Sequence, residues 1–199
     1  MPGFRLAIAI LGAMPLAAAG CAEDPDDSSS VLGGGDWTLQ ARYRVEGVDE
    51  DNTLENAAAS TLRTKLGFET NPALTWSARL EVEDVHALGA EKFNSTTNGR
   101  DRYSVVADPD GTELNQAYVT VQGSGMRARV GRQALALDNQ RFIGDVDFRQ
   151  HQQTYDALML QASTPGGSRL IYGYLWRVHS FLGEDHPLGE LDVRTHLLN

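Results

Sequence analysis

Apolar and polar residues alternate along this chain in successive segments of about ten residues, and this period of two constrains the fold more than any other feature. In the first segment Trp37, Leu39 and Tyr43 share one face, whereas Arg42 and Arg44 share the other. Successive side chains of a strand point to opposite faces, while a helix repeats every 3.6 residues. The segments are 37–46, 61–70, 75–83, 114–122, 126–135, 154–163 and 168–178, with an eighth starting near Leu191. The pattern predicts an all-β, antiparallel protein.

The connections between these segments alternate in length. Short turns are expected at 71–73, 123–125 and 164–167, and long connections at 47–60, 84–113 and 136–153. Short turns on one rim and long loops on the other are typical of outer-membrane barrels, in which strands of about ten residues cross the bilayer at a tilt. Trp37 and Trp76 each begin a strand, where an interfacial aromatic belt would lie. We therefore expect an antiparallel transmembrane β-barrel, here an incomplete barrel of about seven to eight strands.

The N-terminal segment has the pattern of an export signal. Residues 1–20 combine a weakly positive start, an apolar stretch and small residues before a cleavage point, which predicts a signal peptide. Residues 18–21 also resemble a bacterial lipobox, so that Cys21 is a candidate for lipidation; an ordinary signal cleavage is the alternative. Residues 21–35 are acidic, then rich in Ser and Gly, and predict a flexible linker. The barrel is then expected over residues 36–199.

Charge placement indicates what each face of the strands contacts. The whole chain has a net charge of −10, yet the first seven strand segments carry ten basic residues against five acidic ones. A charge that faces lipid near the midplane costs ~2–4 kcal/mol, so the apolar face must point outward and the basic face toward water. Alternation places the following candidates for an anion-binding channel lining on the basic face: Arg42, Arg44, Arg63, Lys65, Arg79, Arg127, Arg129 and Arg177.

A structural role for these bases is the alternative to a selective lining. Inward Arg and Glu side chains can pair across strands and stiffen the wall without attracting a solute, and Glu81 and Glu83 beside Arg79 fit that interpretation. Arg132 is the exception among the strand bases, because alternation places it on the apolar side.

Other function classes are disfavoured by composition. A net charge of −10 argues against a general nucleic-acid binder, which needs a basic footprint. The single cysteine excludes a disulfide framework and a multi-thiolate metal site. No nucleophile–base pair is recognisable, so we expect neither an enzyme nor a bound metal or cofactor. The five histidines have no ligand spacing and are expected to be solvated: His86, His151, His179, His186 and His196.

Several sequence blocks resemble the alginate export family of outer-membrane barrels. The blocks are Ala59–Phe68, Asn94–Gly99, Val106–Glu113, Asn115–Tyr118, Gly131–Gln133 and Asp138–Gly144. The resemblance covers residues 37 to 178 and implies a monomeric barrel whose arginine-rich pore passes the polyuronate alginate. Arg63, Arg132, Asn139 and Arg141 lie inside the matching blocks, so the resemblance adds Arg132 and Arg141 to the candidate channel lining.

The expected function is passive passage of an anionic polysaccharide, or of small anionic solutes, across the bacterial outer membrane. The expected partners are that solute and outer-membrane lipid, without nucleic acid. The family's barrel has more strands than this chain supplies, so we expect an N-terminal, truncated part of a barrel. Two alternatives remain: an exported soluble β-protein, or a surface lipoprotein tethered through Cys21, either of which would bind acidic polysaccharide.

Overall fold

The computed structural model describes residues 34–71, 75–89, 91–163 and 166–199, together with the backbone of residues 5–9 and 14–15. In this described part the protein is all-β, and every strand belongs to one open antiparallel sheet. No helix in these residues is long and apolar enough to cross a membrane. The expected all-β fold is confirmed, and the open sheet is consistent with an incomplete barrel.

Eight long strands follow one another in the sheet in their order along the chain. They are β3 (Gly35–Asp49), β4 (Ala57–Thr70), β5 (Trp76–Ala87), β6 (Gly111–Gly123), β7 (Met126–Gln133), β8 (Thr154–Ser163), β9 (Arg169–His179) and β10 (Glu190–Leu198). Two short strands, β1 (Arg5–Ala9) and β2 (Met14–Pro15), pair with β3 inside the segment predicted to be a signal peptide. Each long strand pairs with its sequence neighbours, because antiparallel strands can be joined by short connections.

The connections lie at two rims of the sheet, as their lengths predict. At one rim, here called the turn rim, β6 and β7 are joined by Ser124 and Gly125, both of which have positive φ. A positive φ at both central residues is the requirement of the tightest hairpins. At the opposite rim, here called the loop rim, residues 50–56, 88–110, 134–153 and 180–189 form longer connections.

The two faces of the sheet reverse the usual burial of a soluble protein. One surface, here called the apolar face, exposes large hydrophobic side chains: Leu39, Leu66, Leu80, Val119 and Val130. The opposite surface, here called the charged face, buries ionisable side chains: Arg44, Glu46, Arg63, Lys65, Glu81 and Glu83. Val130 is 49% exposed although the neighbouring strands pair on both sides of it. Exposed contiguous apolar surface of this kind marks an interface with a partner or a membrane.

Two long loops cover the charged face and form small apolar clusters against it. Phe93 and Val106, from the loop of residues 88–110, pack with Val48, Ala57 and Ala59 at the loop rim. A second cluster joins Leu135 to strands β8 and β9; its fully buried members are Leu135, Tyr155, Ala157 and Leu175, and Ile143, Met159, Val178, Val193 and Leu197 pack against them. The loops therefore fold back over the sheet instead of extending away from it.

A bulge in β9 changes the side to which its last residues point. Asp156 pairs with Arg177 and Ala157 pairs with Leu175, so Trp176 is an extra residue. Strict alternation predicts Arg177 on the charged face with Val178 opposite, but Val178 packs against the Leu135 cluster instead. Arg177 therefore lies on the side opposite the charged face, where alternation did not place it, because a bulge puts two successive residues on one side of the strand.

Candidate functional site

Alternate residues of β3, β4 and β5 form the charged face. Two arginines are adjacent on it. Arg42 of β3 and Arg63 of β4 are directly opposite each other across the strand pair. Like charges in that position repel. Asp147 lies between them, with a carboxylate oxygen 2.8 Å from Nη1 of Arg63 and the other 3.9 Å from Nη1 of Arg42. The Asp147 side chain is still 50% exposed, so this carboxylate sits at the boundary with water.

Asp147 belongs to the covering loop, residues 134–153 between β7 and β8, which binds the arginines mainly through its backbone. Arg44 donates from Nη1 to the carbonyl of Phe148 at 2.8 Å, and Arg63 donates to the carbonyl of Gln150 at 3.3 Å. Arg42 donates to the carbonyl of Arg149 and, through Nε, to Oε1 of Gln150 at 3.0 Å. The guanidinium groups thereby satisfy loop carbonyls that have no strand partner.

Gln150 anchors the covering loop at a fully buried position. Its side-chain amide donates to Oγ1 of Thr61 at 2.8 Å and to the carbonyl of Thr61 at 3.1 Å. Its backbone N–H donates to Oδ1 of Asp108 at 3.1 Å, and Asp108 is itself buried and lies 3.4 Å from Nη1 of Arg44. Gln150 thus ties the covering loop to the sheet and to the other long loop at once.

Glu83 is the main anion of the charged face and is 2% exposed. Its carboxylate lies 3.0 Å from Nζ of Lys65 and 3.9 Å from Nη1 of Arg63. It also accepts hydrogen bonds from the Gln152 backbone at 3.1 Å and from Nδ1 of His151 at 3.2 Å. A buried carboxylate of this kind requires such partners, because removal from water penalises an unpaired charge.

Acceptors on both sides of its ring favour the protonated form of His151. Nδ1 faces Glu83, and Nε2 faces the carbonyl of Pro109 at 3.0 Å. In the imidazolium both ring nitrogens donate, which matches two acceptors. Burial alone would lower the pKa of His151, but the hydrogen bond that the ring donates to Glu83 and the charges of Glu113 and Glu83 outweigh it and raise that pKa above its usual value. The expectation that His151 is solvated is wrong, and His179 is buried too.

The remaining predicted bases fall into two groups. Arg79 is paired with Glu69 at 3.1 Å and with Glu81, so it has the structural role that the alternative interpretation assigns to it. Arg127 and Arg129, nearer the turn rim, form no ion pair within the described residues. Arg129 lies 4.2 Å from the centre of the Tyr118 ring and donates to Oγ1 of Thr120 at 3.3 Å.

Three predicted lining residues lie away from the charged face. Arg132 pairs with Asp156 at 3.1 Å across β7 and β8, on the side that alternation gives it. Arg177 pairs with Asp192 at 3.0 Å, beyond the β9 bulge. Arg141 lies in the covering loop, 5.6 Å from the centre of the Phe142 ring, and Phe142 is 88% exposed. Cys21 lies outside the described residues.

Sequence reasoning missed the loop residues that complete the site. Gln150, His151 and Asp147 lie in a segment without periodicity, so alternation carries no signal for them. The only signal available is the density of polar side chains in residues 145–153. Within the described part of the chain, no cluster of His, Cys, Asp or Glu could hold a metal ion.

Comparison with known families adds one finding. The family model described as alginate export matches residues 36–181. The chain belongs to the alginate export family. The match spans β3 to β9 with the covering loop, and it confirms the resemblance carried by the motif blocks. The alginate export family is a family of transport proteins. No curated protein and no solved structure matches this chain significantly.

Proposed function

We propose that this alginate export family domain forms part of an outer-membrane channel that passes anionic solutes along its charged face. The observation that carries the proposal is the inverted burial of the sheet: one face exposes aliphatic side chains, and the other face buries charged side chains. Lipid requires the first surface, and a polar pathway requires the second. The proposed location is therefore the bacterial outer membrane, and the solute is alginate-like or a smaller anion.

Two arginine groups of the charged face support anion passage: Arg42 and Arg63, which are covered by the half-exposed Asp147, and Arg127 and Arg129, which form no ion pair within the described residues. Asp147 shows that the gap between Arg42 and Arg63 fits a carboxylate, and its half-exposed side chain can be exchanged for the carboxylate of a solute. Arg127 and Arg129 offer cations that no described carboxylate neutralises. Weak attraction at several such points lets an anion enter and still leave. Lys65 and Arg79, which are neutralised by Glu83 and Glu81, hold the wall in shape.

Reversal potentials in planar bilayers test the proposal directly. The purified protein, reconstituted under a KCl gradient, is expected to conduct with a preference for chloride over potassium. A preference for potassium, or a protein recovered in the soluble periplasm and inactive in bilayers, would overturn the proposal. The second result would favour the soluble polysaccharide-binding alternative.

Spin labels on adjacent residues test which face meets lipid. A nitroxide at Val130→Cys is expected to be accessible to oxygen dissolved in lipid, and one at Arg129→Cys to a water-soluble nickel complex. These residues are neighbours on β7 and point to opposite sides. The reverse pattern would exclude the proposed orientation of the sheet.

A further inference from the structure

A cavity of about 160 Å³ opens on the charged face toward the turn rim, apart from the site that Asp147 occupies. Strands β7, β8 and β9 supply its floor, and the start of the covering loop supplies its roof through Leu135 and Leu137. Arg127 and Arg129 line it from β7, and Arg129 pairs across the sheet with Met159.

The two arginines of this cavity have no anionic partner among the described residues. No carboxylate among the described residues lies within ion-pair distance of either guanidinium, in contrast to Arg63, which has two carboxylates within 4.0 Å. Arg127 and Arg129 are two residues apart on one face, which puts their Cα atoms about 7 Å apart. Both guanidinium groups can therefore reach a single carboxylate, with the bidentate geometry that arginine favours.

Most of the remaining cavity wall is apolar, although Gln133 and Gln161 also line it, and such a wall does not suit a polymer that is polar on every side. Leu135, Leu137, Met159 and Ile171 form this wall. A dry cavity of about 150 Å³ lined by similar residues holds one benzene ring. The available space beside the arginines therefore matches a single aromatic ring or a short aliphatic chain that carries a carboxylate.

Gln133 adds a third requirement for the ligand. Its side chain lines the cavity and is 1% exposed, and its amide nitrogen donates to the carbonyls of Gly131 and Ala157. Its amide oxygen is buried without a partner in the described structure. An unpaired buried acceptor is costly, and a hydroxyl group of a ligand would satisfy it after a small shift of the Gln133 amide toward the cavity, because the oxygen itself has almost no accessible surface. The nitrogen cannot take the oxygen's place, because it already faces two carbonyls.

We propose that this cavity binds small aromatic carboxylates that carry a hydroxyl group. The carboxylate lies at Arg127 and Arg129, the ring lies against Leu135 and Met159, and the hydroxyl donates to the amide oxygen of Gln133. Such a site gives the proposed channel, on which this inference rests, a class of solute distinct from polyuronates.

Calorimetric titration of the full chain in detergent micelles tests the site with 4-hydroxybenzoate as the probe. Its affinity is expected to exceed that of benzoate by about fivefold, the value of one neutral hydrogen bond of ~1 kcal/mol. Glucuronate, which has the charge and hydroxyl groups without an apolar ring, is expected to bind at least about tenfold more weakly. Equal affinity for glucuronate and 4-hydroxybenzoate would overturn the proposed ligand class.

Charge-removing variants with a matched control separate the site from uptake of the ring by micelles. The double variant Arg127→Gln/Arg129→Gln is expected to bind 4-hydroxybenzoate about 10- to 100-fold more weakly, since hydrogen bonds to charged groups are worth ~1.5–3 kcal/mol. Arg169→Gln, at the exposed start of β9, is expected to bind like the parent protein. The methyl ester of the probe, which keeps the ring and loses the charge, is expected not to bind. Equal weakening by both variants, or binding of the ester, would contradict the site.

The binding result and the channel result can fail separately. Chloride-selective conductance without 4-hydroxybenzoate binding overturns the cavity assignment and leaves the channel standing. Binding that is lost in the double variant, in a protein that does not conduct, supports the cavity and overturns the channel.

Discussion

Glu83 is the residue on which the buried charges of the sheet depend. Four groups from two parts of the chain, β4 and the covering loop, converge on its carboxylate: Lys65, Arg63, His151 and the Gln152 backbone. Removing one partner of a buried ion pair leaves the others unpaired in a place from which water is excluded. Loss of Glu83 would therefore destabilise both the sheet and the covering loop.

Glu83→Gln is expected to lower the free energy of unfolding by about 3–5 kcal/mol, because it leaves the buried charges of Lys65 and His151 without their anionic partner. Urea titration of the protein refolded into lipid vesicles measures this change. Glu55→Gln, whose carboxylate is largely exposed and forms only a 3.9 Å pair with Arg102, is the matched control and should change it by less than ~1 kcal/mol. A loss of similar size in both variants would show that Glu83 has no special role.

His151 makes the stability of the covering loop depend on pH. Its pKa is raised in the folded protein above the unfolded value of about 6.5. A raised folded pKa means that the contribution is complete below the unfolded value and is lost as the pH rises through the folded value. The groups that face the ring are Glu83, Glu113 and the Pro109 carbonyl, with Lys65 beyond Glu83.

The difference in unfolding free energy between the parent protein and His151→Gln is therefore expected to be largest below pH ~6.5 and to shrink at alkaline pH. Vesicle unfolding over a series of pH values measures it. His86→Gln, on an exposed histidine, is the control and should show a small difference at every pH. A difference that grows with rising pH would mean that His151 is buried in its neutral form.

The covering loop is the element that decides how much positive charge the proposed pathway offers. It neutralises Arg42 and Arg63 through Asp147, and it fills the space above Arg44 and Lys65 with backbone carbonyls and the Gln152 amide. Its anchors at Gln150 and His151 are buried, whereas Asp147 is half exposed. The loop can therefore give up the Asp147 contact without leaving the sheet.

Asp147→Asn is expected to raise the chloride-to-potassium permeability ratio about two- to fivefold, since a partly exposed charge pair is worth ~0.5–1 kcal/mol. Reversal potentials at low ionic strength, where screening is weakest, give the largest effect. Asp51→Asn, in the exposed connection between β3 and β4, removes the same charge away from the two arginines and should leave the ratio unchanged. An unchanged ratio in Asp147→Asn would place the conducting path elsewhere.

At the scale of the whole molecule, the inverted burial of the two faces indicates which medium each face of the sheet contacts. A soluble sheet of this size would expose its charges and bury its aliphatic residues, because each buried aliphatic side chain stabilises the fold by about 1.5–3 kcal/mol. Here aliphatic residues are exposed on one face of the long strands, and the charged side chains that are buried on the other face are mostly paired with opposite charges. Under the proposed function, an apolar medium outside the sheet stabilises this arrangement.

Val130→Arg is therefore expected to lower the free energy of unfolding in vesicles by about 2–4 kcal/mol, as for a charge near the bilayer midplane. Leu54→Arg introduces the same side chain at an exposed position in the loop that joins β3 and β4, and it should change this free energy by about 0.5 kcal/mol or less. Near-neutral effects at both positions would mean that the apolar face meets water.

The sequence by itself determined the strands, their order and the two faces, because period-two alternation and the lengths of connections are local properties of the chain. The family, too, is carried by local blocks such as Gly131–Gln133 and Asp138–Gly144. Only the tertiary structure decided which arginines lack a carboxylate partner among the described residues. The pairing of Arg63 with Asp147 joins residues 84 positions apart, and the loop segment that supplies Asp147 has no periodic signal. The position of Arg177 depends on one bulge, which shifts side chains by a residue and which alternation cannot detect.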